Sequence, residues 1–474
     1  MSMTMARDNE RTDAAGPPGS RWPGLSARAG WVMFDWACQP FFTLVTTFIF
    51  APFFAAAVAS SPARGQELWG YATGFAGLVI ALCSPALGSI ADASGPRKPW
   101  IAAFGALLVL GCGMMWWAVP GAPAAVAIAL AGFVVATIGA EFASVFNNAM
   151  MPSLAPASRL GRLSGLGWAM GYLGGLVSLA LTLVFLAAPP ETGRTLAGLV
   201  PAFGLDPSTH AGDRITGPFA ALWFAVFVLP LFLLTPDMPS RGRSLVQAAR
   251  EGTDNLVRTV RGLGGQRDLF RFLLANMIYA DGLVALFAFG GIYAAGTFGW
   301  RTTEIGIFGI LLTITGTVGA LAGGRLDDMF GPRTVVSGSL VLLIVAVLGI
   351  LGTTRDAVLF VVPVDPAVVG DGLFASTSER AYLALGLLIG VVAGPLQAAS
   401  RTLLVRLAPP GDIGQCFGLF ALSGKVTSFL GPTLVAVMTG ITGSQRAGVA
   451  VLLAFFATGL VLIRSLSAGS GGAR

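Results

Sequence analysis

The chain has 474 residues, of which 55% are apolar and only 11% charged, with a formal net charge of +6. A soluble surface needs about a quarter of its residues charged. Soluble domains are therefore excluded and an integral membrane protein is expected, its positive balance facing lipid headgroups and not a nucleic acid. All but two of the 29 basic residues, Lys98 and Lys425, are Arg. The cysteines Cys38, Cys83, Cys112 and Cys416 fall inside apolar runs, and His210 is the single histidine. Neither a disulfide framework nor a metal site is expected. No cofactor is expected either, beyond a proton motive force as energy source.

Residues 1–30 are polar and rich in Arg, Gly and Pro, which reads as a disordered cytoplasmic tail without a cleavable signal. Crossing a bilayer takes about 20 mostly apolar residues. On that rule helices 1 to 6 are predicted over 31–59, 69–91, 100–119, 122–150, 163–188 and 217–235. Helices 7 to 12 are predicted over 269–295, 302–323, 334–352, 379–403, 413–438 and 445–466. The two sets form bundles over 31–235 and 269–466, with a basic cytoplasmic linker at 236–268 and a short tail at 467–474. Arg243, Arg250, Arg258 and Arg261 in the linker fit either an amphipathic surface helix or a solvated connector. About 20 basic residues fall on the side of the termini and about seven on the other, which puts both termini in the cytoplasm.

Two repeats relate the halves. Gly88-Ser-Ile-Ala-Asp92-Ala-Ser-Gly95-Pro-Arg97-Lys98 returns as Gly324-Arg-Leu-Asp-Asp328-Met-Phe-Gly331-Pro-Arg333, at an offset of 236 residues. Ala155-Pro156, Gly161, Gly165-Leu166 and Gly171 match Ala408-Pro409, Gly414, Gly418-Leu419 and Gly424 at an offset of 253. The larger second offset implies an insertion in the second half, expected in the outer connector 353–378. Two related six-helix bundles with a charged Gly-x-x-x-Asp-x-x-Gly-x-Arg turn between helices 2 and 3 and between 8 and 9 resemble the major facilitator superfamily. The fold expected is all-α and membrane-embedded, with twelve helices in two pseudo-symmetric bundles.

Four further stretches narrow the resemblance: Phe34-Asp35-Trp36-Ala37, Phe146-Asn147-Asn148-Ala149-Met150-Met151-Pro152, Gly161 through Gly175, and Gly394-Pro395-Leu396-Gln397-Ala398-Ala399-Ser400-Arg401 leading to Phe417-Gly418-Leu419. Together they resemble the bacterial branch of the autophagy-related vacuolar effluxer family, from about residue 30 to 440. The resemblance implies a monomeric transporter of the bacterial inner membrane whose partners are a small-molecule substrate and the bilayer. Fungal members export amino acids from the vacuole. Cys38-Gln39 and Gln415-Cys416 depart from the family pattern, which bears on the cargo.

Ionisable side chains at membrane depth cost several kcal/mol unless paired or hydrated, so each is a functional candidate. Asp281 lies near the middle of helix 7, after Asn276 and Tyr279, and by resemblance faces the central path as a proton carrier or a partner for a substrate ammonium. Asp35 and Trp36 on helix 1 suit gating or, for Trp36, an interface anchor. Glu141, Asn147 and Asn148 on helix 4 and Gln397, Ser400 and Arg401 on helix 10 read as the inner mouth, with ion pairing of Arg401 or Arg406 to Asp328 or Glu141 as the plainer reading. Lys425 on helix 11 suits a structural role or a substrate carboxylate. Gly386, Gly390 and Gly394 fit close helix packing, with Pro395 adding a bend. Gly88, Asp92, Gly95, Arg97, Lys98, Gly324, Asp328, Gly331 and Arg333 form a cytoplasmic gate, Asp92 meeting the start of helix 11 and Asp328 that of helix 5 near Gly161.

The function expected is secondary transport by alternating access, with export or exchange of a small polar metabolite, amino acids first, and proton coupling through Asp281 or Glu141. Efflux of amphipathic drug-like compounds and a transport-inactive receptor or scaffold are the alternatives. An enzyme is not expected, because no catalytic constellation lies at membrane depth.

Overall fold

The computed structural model describes residues 22–467 apart from positions 61, 191, 245, 253, 255–265, 299, 301, 366–372, 410–411, 426 and 429. Arg258, Arg261, the first 21 residues and the end of the C-terminal tail therefore lie outside the described residues. Eleven helices among the described residues are long and apolar enough to cross a membrane. They are helix 1 (Leu25–Val58), helix 2 (its apolar part Leu68–Ser94), helix 3 (Lys98–Trp117), helix 4 (Ala125–Ser153), helix 5 (Ala157–Leu186) and helix 6 (Ala211–Leu234). In the second half come helix 7 (Arg267–Phe298), helix 8 (Thr302–Phe330), helix 9 (Pro332–Leu351), helix 10 (Thr377–Leu407) and helix 12 (Gln445–Arg464). Helix 1 starts at Leu25, inside the stretch expected to be tail.

Helix 11 departs from the continuous span expected over 413–438. It forms two shorter pieces, 11a (Ile413–Lys425) and 11b (Leu430–Thr442). Pro432, two residues into 11b, explains the break. Proline has no N–H to give the carbonyl of residue 428, and its ring disfavours helical geometry just upstream. The Leu430 amide instead closes a turn on the Thr427 carbonyl at 2.7 Å.

The charged repeats are less loop-like than their composition implied. Asp92 and Asp328 sit in the final turns of helices 2 and 8; Gly95, Pro96 and Arg97 make the turn in the first copy and Gly331 alone in the second. Gly95 and Gly331 have φ of +101° and +82°, which disfavours any residue with a Cβ. Pro332 opens helix 9, where a missing N–H costs nothing, whereas Pro96 precedes helix 3, whose own early proline is Pro99. The expected insertion region carries a two-stranded hairpin, Ala357–Val358 against Val362–Pro363. Ser376 then starts helix 10 with a reciprocal cap to Glu379, whose carboxylate also takes the Trp300 indole N–H at 3.0 Å.

Packing divides the chain less simply than a split at the linker. One unit comprises Met1–Pro156, Met170–Leu256 and Gly411–Gly418; the other comprises Ala157–Ala169, Val257–Pro410 and Leu419–Arg474. Each unit thus takes in a short helix start from the opposite half of the sequence, and the second repeat supplies the reason. In the first unit a Cβ on Gly418 would fall 2.4 Å from the Ser84 carbonyl oxygen, and one on Gly88 would fall 2.3 Å from that of Gly414. In the second unit a Cβ on Gly165 would fall 2.5 Å from the Ala320 carbonyl oxygen. Backbones approach this closely only where side chains are absent.

Two prolines shape the interiors of the units. Pro40 in helix 1 cannot bond the Trp36 carbonyl, and the Trp223 indole of helix 6 donates to it instead at 3.1 Å. Pro395 likewise frees the Val391 carbonyl, against which Gly319 of helix 8 packs so closely that a Cβ would sit 1.9 Å away. Gly386, Gly390 and Gly394 all face helix 8, and helix 10 continues through Pro395 without interruption.

Candidate functional site

In the second unit Asp281 lies on helix 7 with 2% of its surface exposed. Two polar rungs join helix 7 to helix 11 here. Asn276 Nδ2 donates to Ser423 Oγ at 3.0 Å near the end of 11a. One step further along, the Thr427 hydroxyl, in the break, faces the Asp281 carboxylate. Asp281 Oδ1 is buried and has no hydrogen-bond partner among the described residues. Gly431 holds 11b tight against helix 7, since a Cβ there would fall 2.4 Å from the Asp281 carbonyl oxygen. The side chain of Lys425 lies outside what the structure describes.

Tyr279 is tied to helix 10, its hydroxyl 2.7 Å from Ser400 Oγ, which in turn reaches the Leu396 carbonyl at 2.6 Å. Gln397 Nε2 donates to the Ala393 carbonyl at 3.2 Å. Arg401 is buried, and its described partners come from helix 5. Its guanidinium donates to Ser164 Oγ at 3.0 Å and to the Ser164 carbonyl at 2.7 Å, and lies 5.3 Å from the Trp168 ring centre. Asp328 is engaged by Arg162, at 3.0 Å, in place of Arg401. Ser164, Trp168, Ser423 and Thr427 were missed as site residues. A hydroxyl or an indole is unremarkable in an apolar helix until a charged partner is brought to it.

In the first unit Asp35 and Glu141 both lie within electrostatic reach of the buried Cys38, one of the positions where the family pattern changes. Trp36 stacks on Trp223 with ring centres 5.5 Å apart, so its indole serves the packing of helix 1 on helix 6. Asn147 is fully buried; its carbonyl accepts the Trp31 indole N–H at 2.7 Å, whereas its side-chain oxygen and nitrogen have no partner among the described residues. Asn148 follows it on helix 4 and is half-buried.

The motif residues gather at the helix starts named above. Asp92 accepts the Gly414 amide at 3.0 Å and the Gln415 amide at 2.7 Å, and forms an ion pair with Arg97. Two amides at the first turn of 11a present the positive end of that helix to the carboxylate. Burial lowers the proton affinity of Arg97, and the facing Asp92 and Asp237 oppose that shift. Asp237 accepts the Arg97 and Lys98 amides at 2.8 and 3.0 Å, while Lys98 Nζ donates to the Phe232 carbonyl at 2.8 Å. In the second copy Asp328 accepts the Arg162 amide at 3.2 Å. Its neighbour Asp327 bonds the Thr402 hydroxyl, and Arg333 donates to the Arg464 carbonyl at 2.7 Å, at the end of helix 12. Gly324 faces the Gly161 carbonyl, 2.7 Å from where its Cβ would be.

Comparisons with known proteins bear on the fold and the family. The chain is 25% identical over 449 residues to YxiO of Bacillus subtilis, described as an uncharacterized MFS-type transporter, covering 91% of this chain and 93% of that protein. It is 22% identical over 298 residues to autophagy-related protein 22-1 of Aspergillus fumigatus, and that alignment spans only 44% of the fungal protein. Among solved structures, the major facilitator superfamily transporter FucP in its outward conformation superposes with a TM-score of 0.69 at 15% identity, over 93% of this chain and 98% of that one. The human organic anion transporter MFSD10 does so with 0.65 at 16% identity, over 92% and 99%. The model of the family described as vacuole effluxer Atg22 like matches residues 68–473. The chain is thus a multi-pass membrane transporter of the major facilitator fold and belongs to the Atg22-like vacuole effluxer family.

Proposed function

We propose that this transporter exports or exchanges a small polar metabolite, amino acids first, across a bacterial inner membrane by alternating access, with both termini in the cytoplasm. The observation that carries the coupling is Asp281: a carboxylate buried on a membrane-spanning helix with one oxygen unpaired. A buried, unpaired carboxylate is costly in its charged form, so it gains by taking a proton and loses it where water or cargo enters. Glu141, with Asp35 near Cys38, is the second carboxylate that bears on the path. The Asp92 bonds to the start of helix 11a and the Asp328 bonds to the start of helix 5 act in this reading as latches that release when the cytoplasmic side opens.

The test begins with thermal unfolding of the purified protein against amino acids, sugars, nucleosides and cationic amphiphiles. A cargo that binds only the folded state raises the melting temperature. Amino acids are expected to do so; stabilisation by cationic amphiphiles alone would move the assignment to drug efflux. With cargo in hand, Asp281→Asn in proteoliposomes is expected to abolish flux driven by a proton gradient while the protein stays folded. Undiminished gradient-driven flux would remove Asp281 from the mechanism.

A further inference from the structure

The second charged motif carries an acid that the first lacks. Asp327 stands where the first copy has Ala91, one residue before the motif aspartate. It is 1% exposed, and its two oxygens differ in their surroundings. Oδ2 bonds the Thr402 hydroxyl of helix 10, whereas Oδ1 is buried with no hydrogen-bond partner among the described residues. The next residue, Asp328, faces the positive groups of the helix 5 start: the Gly161 and Arg162 amides and the Arg162 side chain. Arg406 of helix 10 lies within electrostatic reach of both acids, and Arg333 of helix 9 turns to helix 12.

The surroundings of Thr402 constrain where a proton sits. Its Oγ1 bonds Asp327 Oδ2 and also lies 2.9 Å from the Ala399 carbonyl oxygen. A threonine hydroxyl has one hydrogen and two lone pairs. If that hydrogen went to an ionised Asp327, lone pairs of Thr402 and of the Ala399 carbonyl would face each other at 2.9 Å. Oδ1 would then be an anionic oxygen buried without a donor, which is costly. With the hydrogen on Asp327 Oδ2 the chain closes: Asp327 donates to Thr402, and Thr402 donates to Ala399. Only the weakly accepting oxygen of a neutral acid is left over. The adjacent Asp328 favours the same state, because neighbouring carboxylates resist ionising together.

We propose that Asp327 is a proton-binding site, a neutral carboxyl group for as long as the start of helix 5 covers it. A Cβ on Gly161 would fall 2.6 Å from Asp327 Cβ and 2.7 Å from its carboxyl carbon, so the helix 5 backbone is itself the cover. When that start withdraws and water enters, Asp327 Oδ2 gives its proton to water and Thr402 keeps its bond to Ala399. The proposal rests on the reading of the Asp328 contact as a latch and adds a proton to it, bound on closing and released on opening. The first latch, with Ala91 at this position, has no such proton.

The test is thermal unfolding of the purified full-length protein and of Asp327→Asn from neutral to alkaline pH. The asparagine amide donates to Thr402 as the acid does but has no proton to lose. A neutral acid that ionises on unfolding makes the parent lose stability as pH rises. The folding constant of Asp327→Asn relative to the parent should therefore climb about tenfold per pH unit while the parent keeps its proton. A variant less stable by the same factor at every pH means that Asp327 is ionised in the folded protein, and overturns the proposal. Infrared spectra of the parent give a second reading that does not depend on that variant folding. A protonated carboxyl stretch that shifts when Thr402→Val removes its hydrogen-bond acceptor is expected; no carboxyl band that responds to Thr402→Val overturns the proposal. The latch is read separately, from the labelling of a single cysteine at the helix 5 start, which should speed up as pH rises in the parent and not in Asp327→Asn. If the proton is found and labelling is flat with pH, the latch reading fails and the proton site stands.

Discussion

The two copies of the charged motif share a skeleton and differ in how they hold it. Asp92 has three partners: two amides of helix 11a and its own motif arginine, Arg97, with both side chains of the ion pair 6–7% exposed. In the second copy the work is divided. Asp328 faces the amides of Gly161 and Arg162 and the side chain of Arg162, which is 59% exposed, with Arg406 nearby; Asp327 takes Thr402; and Arg333, the counterpart of Arg97, turns to the carbonyls at the end of helix 12. An identical short motif therefore does not guarantee an identical interaction. The extra Asp327 gave the second copy another acceptor, and the exposed end of helix 12 gave its arginine another target.

The largest effect is expected from Asp92→Ala, which leaves the Gly414 and Gln415 amides and the Arg97 guanidinium without their buried acceptor. Breaking one side of a buried ion pair costs about 3–5 kcal/mol, so thermal unfolding should show a much larger drop than for Asp328→Ala. Equal drops would mean that the two copies are energetically alike despite their geometry. Gly95→Ala comes next. It forces a Cβ residue to φ of +101° and against the Pro239 carbonyl oxygen, 2.3 Å away, a strain of about 1–3 kcal/mol. A variant as stable as the parent would show that this turn relaxes freely. Asp328→Ala loses its amide contacts and an ion pair whose arginine is largely exposed, for about 1–2 kcal/mol. Arg162→Gln keeps the backbone amide and removes only an exposed charge, so its effect should stay within about 1 kcal/mol. A larger loss would assign the hold at Asp328 to the side chain of Arg162 and not to its amide.

The parts of this architecture that could be read from the chain were those in which one residue type is forced by the backbone. Gly95 and Gly331 had to be glycine because φ is positive, and Gly161, Gly165, Gly414 and Gly418 because helix starts pass against neighbouring backbones. Their spacing exposed the repeat and the contacts it serves. What could not be read was decided by partners distant in sequence. The 413–438 stretch is apolar throughout, so hydropathy ran a single helix across Pro432. The break at 425–430 becomes visible only when Gly431 is seen against Asp281. Arg401 suggested a carboxylate partner, and its contacts with Ser164 and Trp168 on helix 5 carried no signal in the sequence. Trp36 looked like a lipid anchor, yet its backbone carbonyl, released by Pro40, is what Trp223 recognises.

In the proposed reading, the Asp92 contact with the start of helix 11a must break before the side taken as cytoplasmic opens. It is tested most directly by placing one cysteine on the cytoplasmic ends of helices 2 or 11a in a variant lacking the four native cysteines. Its labelling rate by a membrane-impermeant thiol reagent in inside-out vesicles is then compared with and without Asp92→Asn. The account predicts faster labelling in Asp92→Asn, with a smaller increase at the corresponding positions on helices 8 and 5 in Asp328→Asn. Labelling unchanged by Asp92→Asn would contradict it and would leave the contact as a packing feature with no part in gating.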